Sequence, residues 1–236
     1  METFLITGAN HGLGFELVRE LAARPDTLVV SAIRGQASDE LLALHSKYPD
    51  RILILSMDVG DQDSILAAAA AAGSGKIPQL DVLINNAAVH PPAQEGSFEA
   101  VTREQMLEVF QVNAVGPLLV VQAFLDLLKR SSRPRIVNIS SERGSMTWQE
   151  GRGGYYSYSL SKAGLNMLTR LLAADLGPHN ITTVTVHPGW MQTRMGGANA
   201  ALSPSESARG ILELTEHLTP EQNGGFYKWN GETHPW

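Results

Sequence analysis

The stretch Thr7-Gly8-Ala9-Asn10-His11-Gly12-Leu13-Gly14 follows a short apolar run and precedes a segment with helical periodicity. Its glycines permit a tight turn and allow the backbone to approach a ligand closely. The free N–H groups at the start of a helix, with the positive end of the helix dipole behind them, favour an anion. The stretch therefore predicts a strand–turn–helix unit that cradles a pyrophosphate. Its spacing, G-x-x-x-G-x-G, differs from the common G-x-G-x-x-G, and a glycine turn without a ligand remains the alternative.

Seven short apolar runs alternate with segments of helical pattern along the rest of the chain. The apolar runs lie at 3–7, 28–33, 52–56, 82–85, 135–139, 182–187 and 226–229, and the helical segments at 13–23, 37–47, 62–72, 102–130, 157–176 and 205–217. Continuous apolar runs are typical of strands covered on both faces, as in a parallel sheet. The sequence thus predicts an α/β fold, a doubly wound parallel sheet of about seven strands with helices on both faces. We expect a single domain over residues 1–236.

Composition excludes several classes of protein. The chain has 236 residues, no cysteine and a formal net charge of −6, with 43% apolar and 18% charged residues. Without cysteine there are no disulfides and no thiolate metal sites, and we expect no metal site. An acidic chain lacks the positive surface that binds nucleic acid. The apolar stretch 117–125 is too short to span a bilayer, and the N-terminus does not resemble a signal peptide. We expect a cytoplasmic protein without nucleic-acid or membrane partners.

Arg34 stands at the end of the second predicted strand, about twenty residues after Gly14. The sequence there reads Ser31-Ala32-Ile33-Arg34, with no acidic residue before Asp39. An acidic side chain at this place binds the ribose 2′-hydroxyl of NAD, whereas an arginine suits the 2′-phosphate of NADP. The position therefore predicts NADP (NADPH), with His11 as a second contact. An ordinary surface arginine and a solvated loop histidine are the alternatives.

Tyr158 and Lys162 are four residues apart on a predicted helix and therefore share one of its faces. An ammonium group near a phenol favours the phenolate and lowers the phenol pKa, which makes the tyrosine a proton donor or acceptor for a carbonyl or alcohol. The strand 135–139 ends in Ser140-Ser141, at the edge where α/β sheets bind ligands. A lone tyrosine–lysine pair of this spacing also arises by chance.

Asn113 falls inside the helical segment 102–130, four residues before Pro117. Because proline has no N–H, the Asn113 carbonyl has no donor at that position. The sequence predicts a local kink and a free backbone acceptor, for which an ordered water is the natural partner. A kink without further function is the alternative.

Together these features resemble the short-chain dehydrogenase/reductase family, with its Rossmann-like fold. The matching elements are Thr7-Gly8-x-x-x-Gly12-x-Gly14, Asp58-Val59, Asn85-Asn86-Ala87-Ala88, Asn113, Ser141, Tyr158-x-x-x-Lys162, and His187-Pro188-Gly189 followed by Thr193. They cover nearly the whole chain in the family order, and Ala88 departs from the usual glycine. The stretches 187–197 and 223–236 resemble the C-factor and sniffer-type carbonyl reductase subgroup.

The resemblance implies a role for each matching residue. Tyr158 would be the proton donor, Lys162 would lower its pKa and hold the nicotinamide ribose, and the Asn113 carbonyl would hold a water. Ser141 rather than Ser140 would bind the substrate oxygen, since it stands three residues before Gly144. The remaining cofactor contacts would be Asp58 and Val59 at the adenine, Asn86 and Ala87 at the adenosine ribose, and Pro188, Gly189, Met191 and Thr193 along the nicotinamide. Asp58 as a helix N-cap or strand-end turn residue and the asparagines as turn residues remain alternatives.

The function implied is NADPH-dependent reduction of an aldehyde, ketone or quinone to an alcohol. The alternative is a signalling or interaction protein of C-factor type that keeps the cofactor. Residues 190–207 are the expected substrate-binding lid. Trp148, Tyr155, Trp190 and Met195 are either pocket or packing residues, and Glu142, Arg143 and Arg152 are expected on a solvated rim.

Two predicted helices carry apolar faces that are wider than one sheet contact requires. In 102–130 the apolar residues are Leu107, Phe110, Ala114, Leu118, Val121 and Leu125, and in 157–176 they are Leu160, Leu165, Met167, Leu168, Leu171 and Leu172. We expect a homodimer or homotetramer formed through them, unless both helices are buried within one subunit.

Overall fold

The computed structural model describes residues 1–75, 77–90 and 97–236. Its centre is a parallel sheet of seven strands in the order β3-β2-β1-β4-β5-β6-β7. The strands are β1 Glu2–Thr7, β2 Thr27–Ile33, β3 Ile52–Ser56, β4 Val82–Asn85, β5 Arg135–Ile139, β6 Thr182–His187 and β7 Phe226–Lys228. The predicted doubly wound α/β fold is confirmed.

Seven α-helices connect the strands. They are α1 Gly12–Ala22, α2 Asp39–Lys47, α3 Gln62–Gly73, α4 Arg103–Phe110, α5 Gly116–Leu128, α6 Tyr156–Leu176 and α7 Pro204–His217. The residues before three of these helices determine where each helix begins. Ser38, Thr102 and Ser203 each cap a helix by accepting a backbone N–H with the side-chain oxygen. The helix starts are therefore encoded close to the helices themselves.

Two hydrophobic cores lie on opposite faces of the sheet. Successive strand residues point to opposite faces, so Phe4 and Ile6 belong to the core that includes Leu17 of α1 and Ile211 of α7. Leu5 belongs to the other core, which includes α3, α5 and α6. All three of these β1 residues are at most 1% exposed. Coverage of both faces explains why the strands appear in the sequence as unbroken apolar runs.

The predicted helix 102–130 is divided in the structure. Between α4 and α5 the residues Gln111–Val115 form a π-helical segment, in which the N–H of Gly116 bonds to the carbonyl of Gln111, five residues earlier. Pro117 at the start of α5 supplies no N–H to the Asn113 carbonyl, which accounts for the irregularity at this place. The irregularity predicted at Asn113 is present as a widened turn.

The combined run Arg103–Leu128 is long and apolar enough to cross a membrane by length and composition, with a mean hydropathy of 1.5 over the best window. The shorter stretch considered from sequence did not reach that length. Core helices of water-exposed domains pass the same test, and here Val121, Phe124 and Leu128 are buried against the sheet. Their packing accounts for the apolar character of the run.

The strand order reverses at β1, which pairs with β2 on one side and with β4 on the other. In open α/β sheets the crevice at such a switch point, beyond the carboxyl ends of the strands, is the usual ligand site. Here the side-chain oxygen of Thr7 accepts the N–H groups of Asn86 and Ala87 at 3.0 and 2.9 Å, so the loops after β1 and β4 are held together.

Candidate active site

The turn after β1 requires glycine at three positions. Gly8 and Gly12 have φ of +67° and +56°, in the left-handed region that disfavours other residues. A Cβ on Gly14 would lie 2.2 Å from the Gly8 carbonyl oxygen and 2.6 Å from the Asn86 side-chain nitrogen. A Cβ on Gly8 would lie 2.8 Å from the Ala87 Cα. The tight strand–turn–helix unit predicted from the glycines is therefore present.

The start of α1 is open to an anion. His11 occupies the cap position with extended backbone and makes no side-chain cap bond, and the first turn holds no acidic residue. The His11 side chain is exposed and Leu13 is buried in the core below. Among the residues that the structure describes, no side chain thus caps this end of α1 and no acidic residue lies in its first turn, which favours a phosphate there.

Asn10 has a structural role that the sequence did not indicate. Its side chain donates to the Gln36 carbonyl at 2.9 Å and accepts the Ser38 N–H at 2.7 Å. The Ser38 hydroxyl in turn donates to the Asn10 carbonyl at 3.1 Å. Asn10 therefore fixes the glycine turn to the loop that follows Arg34.

Arg34 and Asp58 lie at the ends of neighbouring strands, on the side of the crevice beyond β2 and β3. The Arg34 guanidinium is 4.0 Å from the Asp58 carboxylate, and the Arg34 side chain is 69% exposed. Asp58 also accepts the Gly60 N–H at 2.9 Å, so it forms the turn that was considered as its alternative role. Val59 beside it is buried. The arrangement leaves the Arg34 donors directed to solvent at the edge of the crevice.

Tyr158 and Lys162 are both buried, as their shared helix face predicts. The Lys162 Nζ donates to the Ile139 carbonyl at 2.8 Å and lies 5.6 Å from the centre of the Tyr158 ring. Burial lowers the pKa of Lys162 to about 7 and raises the pKa of Tyr158 to about 12. Ser141 and the charge of Arg143 oppose the rise of the Tyr158 pKa.

The expected lowering of the Tyr158 pKa by Lys162 stays a prediction. In the protein alone, burial raises the pKa of Tyr158 and lowers the pKa of Lys162, because the phenolate and the ammonium are both removed from water. The four-residue spacing predicted correctly that both side chains are buried on one face of α6.

The two serines after β5 have different surroundings. The Ser141 side chain accepts the Arg143 N–H at 3.2 Å, which caps the 3₁₀ turn Glu142–Gly144, and it lowers the pKa of Tyr158. Ser140 is buried and donates to the Lys162 carbonyl at 3.4 Å. Of the two, Ser141 is thus the serine whose side chain acts on the Tyr158 hydroxyl.

Asn113 is fully buried and anchors the loop after β4. Its side chain accepts the Val89 N–H at 2.8 Å and donates to the Val89 carbonyl at 2.9 Å and to the Ser161 hydroxyl at 3.1 Å. Ser161 donates to the Tyr158 carbonyl at 2.7 Å. The side chain of Asn113 therefore joins this loop to α6, a role that the argument from its backbone carbonyl did not foresee.

The loop after β6 lies next to the glycine turn. Pro188 is buried, and Gly189 has φ of +82° with no space for a Cβ, which would lie 2.6 Å from a Leu202 methyl group. Thr193 lies 3.5 Å from where a Cβ on Gly12 would be, and Met191 packs on the core of the α1 face. Of the four residues expected along the nicotinamide, Thr193 thus lies beside the glycine turn.

The expected lid, residues 190–207, is irregular up to residue 203 and helical beyond it. The Trp190 ring N–H donates to the Gly196 carbonyl at 2.7 Å, and the Gln192 N–H donates to the Leu202 carbonyl at 2.9 Å. Ser203 caps α7, so residues 204–207 belong to the first turn of that helix. Hydrogen bonds within residues 190–203 therefore hold the non-helical part together.

A cluster beside Tyr158 joins the residues expected at the pocket and rim with His90, which the sequence did not indicate. The His90 ring lies 4.8 Å from the Tyr158 ring and 5.3 Å from the Tyr155 ring. The Arg143 guanidinium stacks 3.9 Å above Tyr155. Arg143 and Arg152 also lie 5.6 and 4.1 Å from the Trp148 ring. We call His90, Arg143, Trp148, Arg152 and Tyr155 the cationic rim.

A crevice at the switch point, a glycine cradle and a buried tyrosine–lysine pair together define a dinucleotide-binding protein with an acid–base centre. Comparison with known families agrees: the family model described as short chain dehydrogenase matches residues 2–202. The chain belongs to that family. The prediction of an NAD(P)-dependent oxidoreductase of the short-chain dehydrogenase class is confirmed.

Individual relatives specify the similarity further. The C-signal protein of Myxococcus xanthus is 41% identical over 160 residues, covering 66% of this chain and 93% of that protein. Short-chain dehydrogenase RED3 of Pyricularia oryzae is 30% identical over 248 aligned residues, covering 99% of this chain and 98% of the relative. These similarities agree with the resemblance to the C-factor subgroup.

Two solved structures are similar over the full length. Carbonyl reductase Sniffer of D. melanogaster has a TM-score of 0.93 at 35% identity and covers 100% of both chains. NADPH-bound carbonyl reductase from chicken fatty liver has a TM-score of 0.92 at 35% identity, covering 100% of this chain and 99% of the other. The resemblance to the sniffer subgroup is confirmed.

Proposed function

We propose that the protein is an NADPH-dependent carbonyl reductase that converts an aldehyde, ketone or quinone to an alcohol. The observation that carries the proposal is the buried pair of Tyr158 and Lys162 at the carboxyl edge of the sheet, where the Lys162 Nζ donates to the carbonyl of Ile139, the last residue of β5. The similarity to two carbonyl reductases, one of them NADPH-bound, supports the same reaction and cofactor.

The residues present fit a phosphorylated dinucleotide. The turn Gly8–Gly14 would hold the pyrophosphate, and Arg34 with His11 would bind the 2′-phosphate. Asp58, Val59, Asn86 and Ala87 would surround the adenosine, while Lys162 would hold the nicotinamide ribose and Pro188, Gly189, Met191 and Thr193 would line the nicotinamide. When bound, this cofactor supplies the hydride.

The chain's own part of the reaction is to bind the carbonyl oxygen and to protonate it. Ser141 and Tyr158 would both donate to that oxygen. Because the pKa of Tyr158 is raised to about 12, its hydroxyl is protonated at neutral pH and available as the donor. Lys162, with its pKa lowered to about 7, is able both to release and to accept a proton near neutral pH, as a relay requires. The Asn113 carbonyl is the proposed acceptor for the water that continues this relay.

The proposal is tested by Tyr158→Phe with Tyr48→Phe, far from the crevice, as the matched control. Removing the hydroxyl keeps the ring, so NADPH binding measured by fluorescence titration should persist. NADPH oxidation with a panel of aldehydes, ketones and quinones should fall by about 10²–10⁴. A Phe variant that turns over within a few-fold of the parent would show that Tyr158 is not the acid.

A second candidate, a signalling or interaction protein that keeps the cofactor, is favoured by the similarity to the C-signal protein. Such a protein would bind NADPH without consuming it. Binding in the absence of turnover across the whole panel would support this alternative over the reductase.

The proposed assembly is a cytoplasmic homodimer or homotetramer of single-domain subunits with residues 190–207 as the lid. Of the apolar residues expected at the interface, Val121, Leu165 and Leu172 are buried within the monomer. Others are exposed on the adjoining helices α4 and α6, namely Leu107, Phe110, Leu160, Met167 and Leu171. This remaining patch supports association, and light scattering tests it against the 25.5 kDa monomer mass.

A further inference from the structure

The mouth of the crevice carries positive charge although the chain as a whole is acidic. Arg143, Arg152 and His90 of the cationic rim all lie around Tyr155 or Trp148. Across the ranges that the structure describes, neither arginine has a carboxylate within the 4.0 Å of an ion pair. The adjacent Glu142 lies instead toward His187, with the carboxylate 3.7 Å from the ring nitrogen.

The Arg143 guanidinium packs against the aromatic ring of Tyr155. The guanidinium carbon lies 3.9 Å from the centre of the Tyr155 ring, and no ion pair among the described residues involves the Arg143 side chain. A planar fork of this kind matches the two oxygens of a carboxylate, which a lysine cannot do. The charge also acts on Tyr158, since Arg143 lowers the pKa of that hydroxyl.

Tyr155 adds an independent observation. It has φ of +54° and ψ of +42°, in the left-handed region that costs free energy for any residue with a Cβ. Such conformations persist where the surroundings hold them, and they cluster at binding sites. This one sets the ring between Arg143 and His90, immediately before the helix that carries Tyr158.

We propose that the preferred substrates carry a carboxylate, which Arg143 binds while the carbonyl lies against Ser141 and Tyr158. Arg152, whose guanidinium lies 4.1 Å from the centre of the Trp148 ring, contributes a second positive charge at the same mouth. The proposal deepens the proposed reductase function and rests on it. Arg143 is therefore the residue that determines substrate class.

The test compares 2-, 3- and 4-formylbenzoate with their methyl esters, which have the same aldehyde and ring without the charge. The parent should prefer the best carboxylate over its ester by at least about tenfold in kcat/KM, the size of one charged hydrogen bond. Arg143→Met should remove this preference, and Arg143→Lys should keep only part of it. Each variant is judged by its own ratio of kcat/KM for the carboxylate to kcat/KM for the ester. An effect of the substitution on Tyr158 changes both values alike and therefore cancels in this ratio. Arg130→Met, beside Pro78 at the opposite end of the sheet, is the matched control.

Each outcome decides the question. Equal turnover of acids and esters by the parent, or an undiminished preference in Arg143→Met, would overturn the proposal while leaving the reductase intact. If no aldehyde is reduced, the reductase proposal fails, and calorimetric titration of the three formylbenzoates into the NADP⁺-saturated protein still decides the inference. Binding that is lost in Arg143→Met supports the carboxylate site, and binding that is unchanged refutes it.

Discussion

The buried ammonium group of Lys162 should lower the free energy of unfolding of this protein. Its side chain is 2% exposed, and burial lowers its pKa from 10.5 to about 7. The folded protein therefore holds fewer protons at this site than the unfolded chain between about pH 7 and pH 10.5, so this site makes the unfolding free energy rise with pH across that window. At about 1.4 kcal/mol per pH unit, the difference corresponds to about 5 kcal/mol below pH 7 as an upper limit.

Lys162→Met removes this cost and retains most of the buried volume. It also removes the donor to the Ile139 carbonyl, which costs about 1–3 kcal/mol. We expect the Met variant to be more stable than the parent by about 2–4 kcal/mol at pH 6, because the ionic penalty exceeds the lost hydrogen bond. Above pH 10.5 only the lost hydrogen bond remains, and the variant should be less stable than the parent.

Urea denaturation of both proteins at pH 6, 8 and 10, without added cofactor, measures the difference. Lys129→Met, at an exposed position, controls for the loss of one positive charge. A Met variant that is less stable at pH 6, or a stability difference that does not shrink as the pH rises, would refute the reasoning about burial. Lys162→Met should lose reductase activity at every pH. That result is expected if the Lys162 side chain is retained for function although it lowers stability.

Other predictions concern the cofactor site and the surface. NADPH should bind at least about tenfold more tightly than NADH, because a charged hydrogen bond contributes about 1.5–3 kcal/mol. Arg34→Ala should reduce that preference. Tighter binding of NADH than of NADPH by the parent would contradict the prediction. Gly14→Ala should lower stability by about 1–3 kcal/mol through overpacking, whereas Gly73→Ala, with no atom near its Cβ position, should not; equal melting temperatures would refute this. Leu171→Glu should shift light scattering toward the monomer, and an unchanged mass would exclude α6 from the interface.

The parts of the fold that could be predicted are those set by local pattern. Strands buried on both faces leave unbroken apolar runs, and six of the seven observed strands end where the runs end; β7 ends one residue early, at Lys228. The glycine turn was predictable because positive φ and close backbone approach require glycine at particular positions. The Tyr158–Lys162 pair was predictable because helical spacing fixes a shared face.

The parts that were missed depend on tertiary surroundings. Pro117 reveals a missing donor, but not that the helix widens into a π-helical segment while the Asn113 side chain is bound to Val89. Spacing placed Lys162 near Tyr158 but carried no information on how far burial would change their pKa values. The cationic rim joins residues that lack periodicity, and the adjacency of β4 and β5 brings the loop with His90 close to the loop with Arg143.

The electrostatics of Tyr158 determine the protonation state from which the proposed reduction would begin. A phenol with its pKa raised to about 12 holds its proton at neutral pH, so in the protein alone the hydroxyl is a proton donor. Reduction of a carbonyl requires a donor at this position. Ser141 and Arg143 both lower the pKa of Tyr158 and so oppose the effect of burial. These two residues would therefore ease the loss of the proton that the proposed reduction requires.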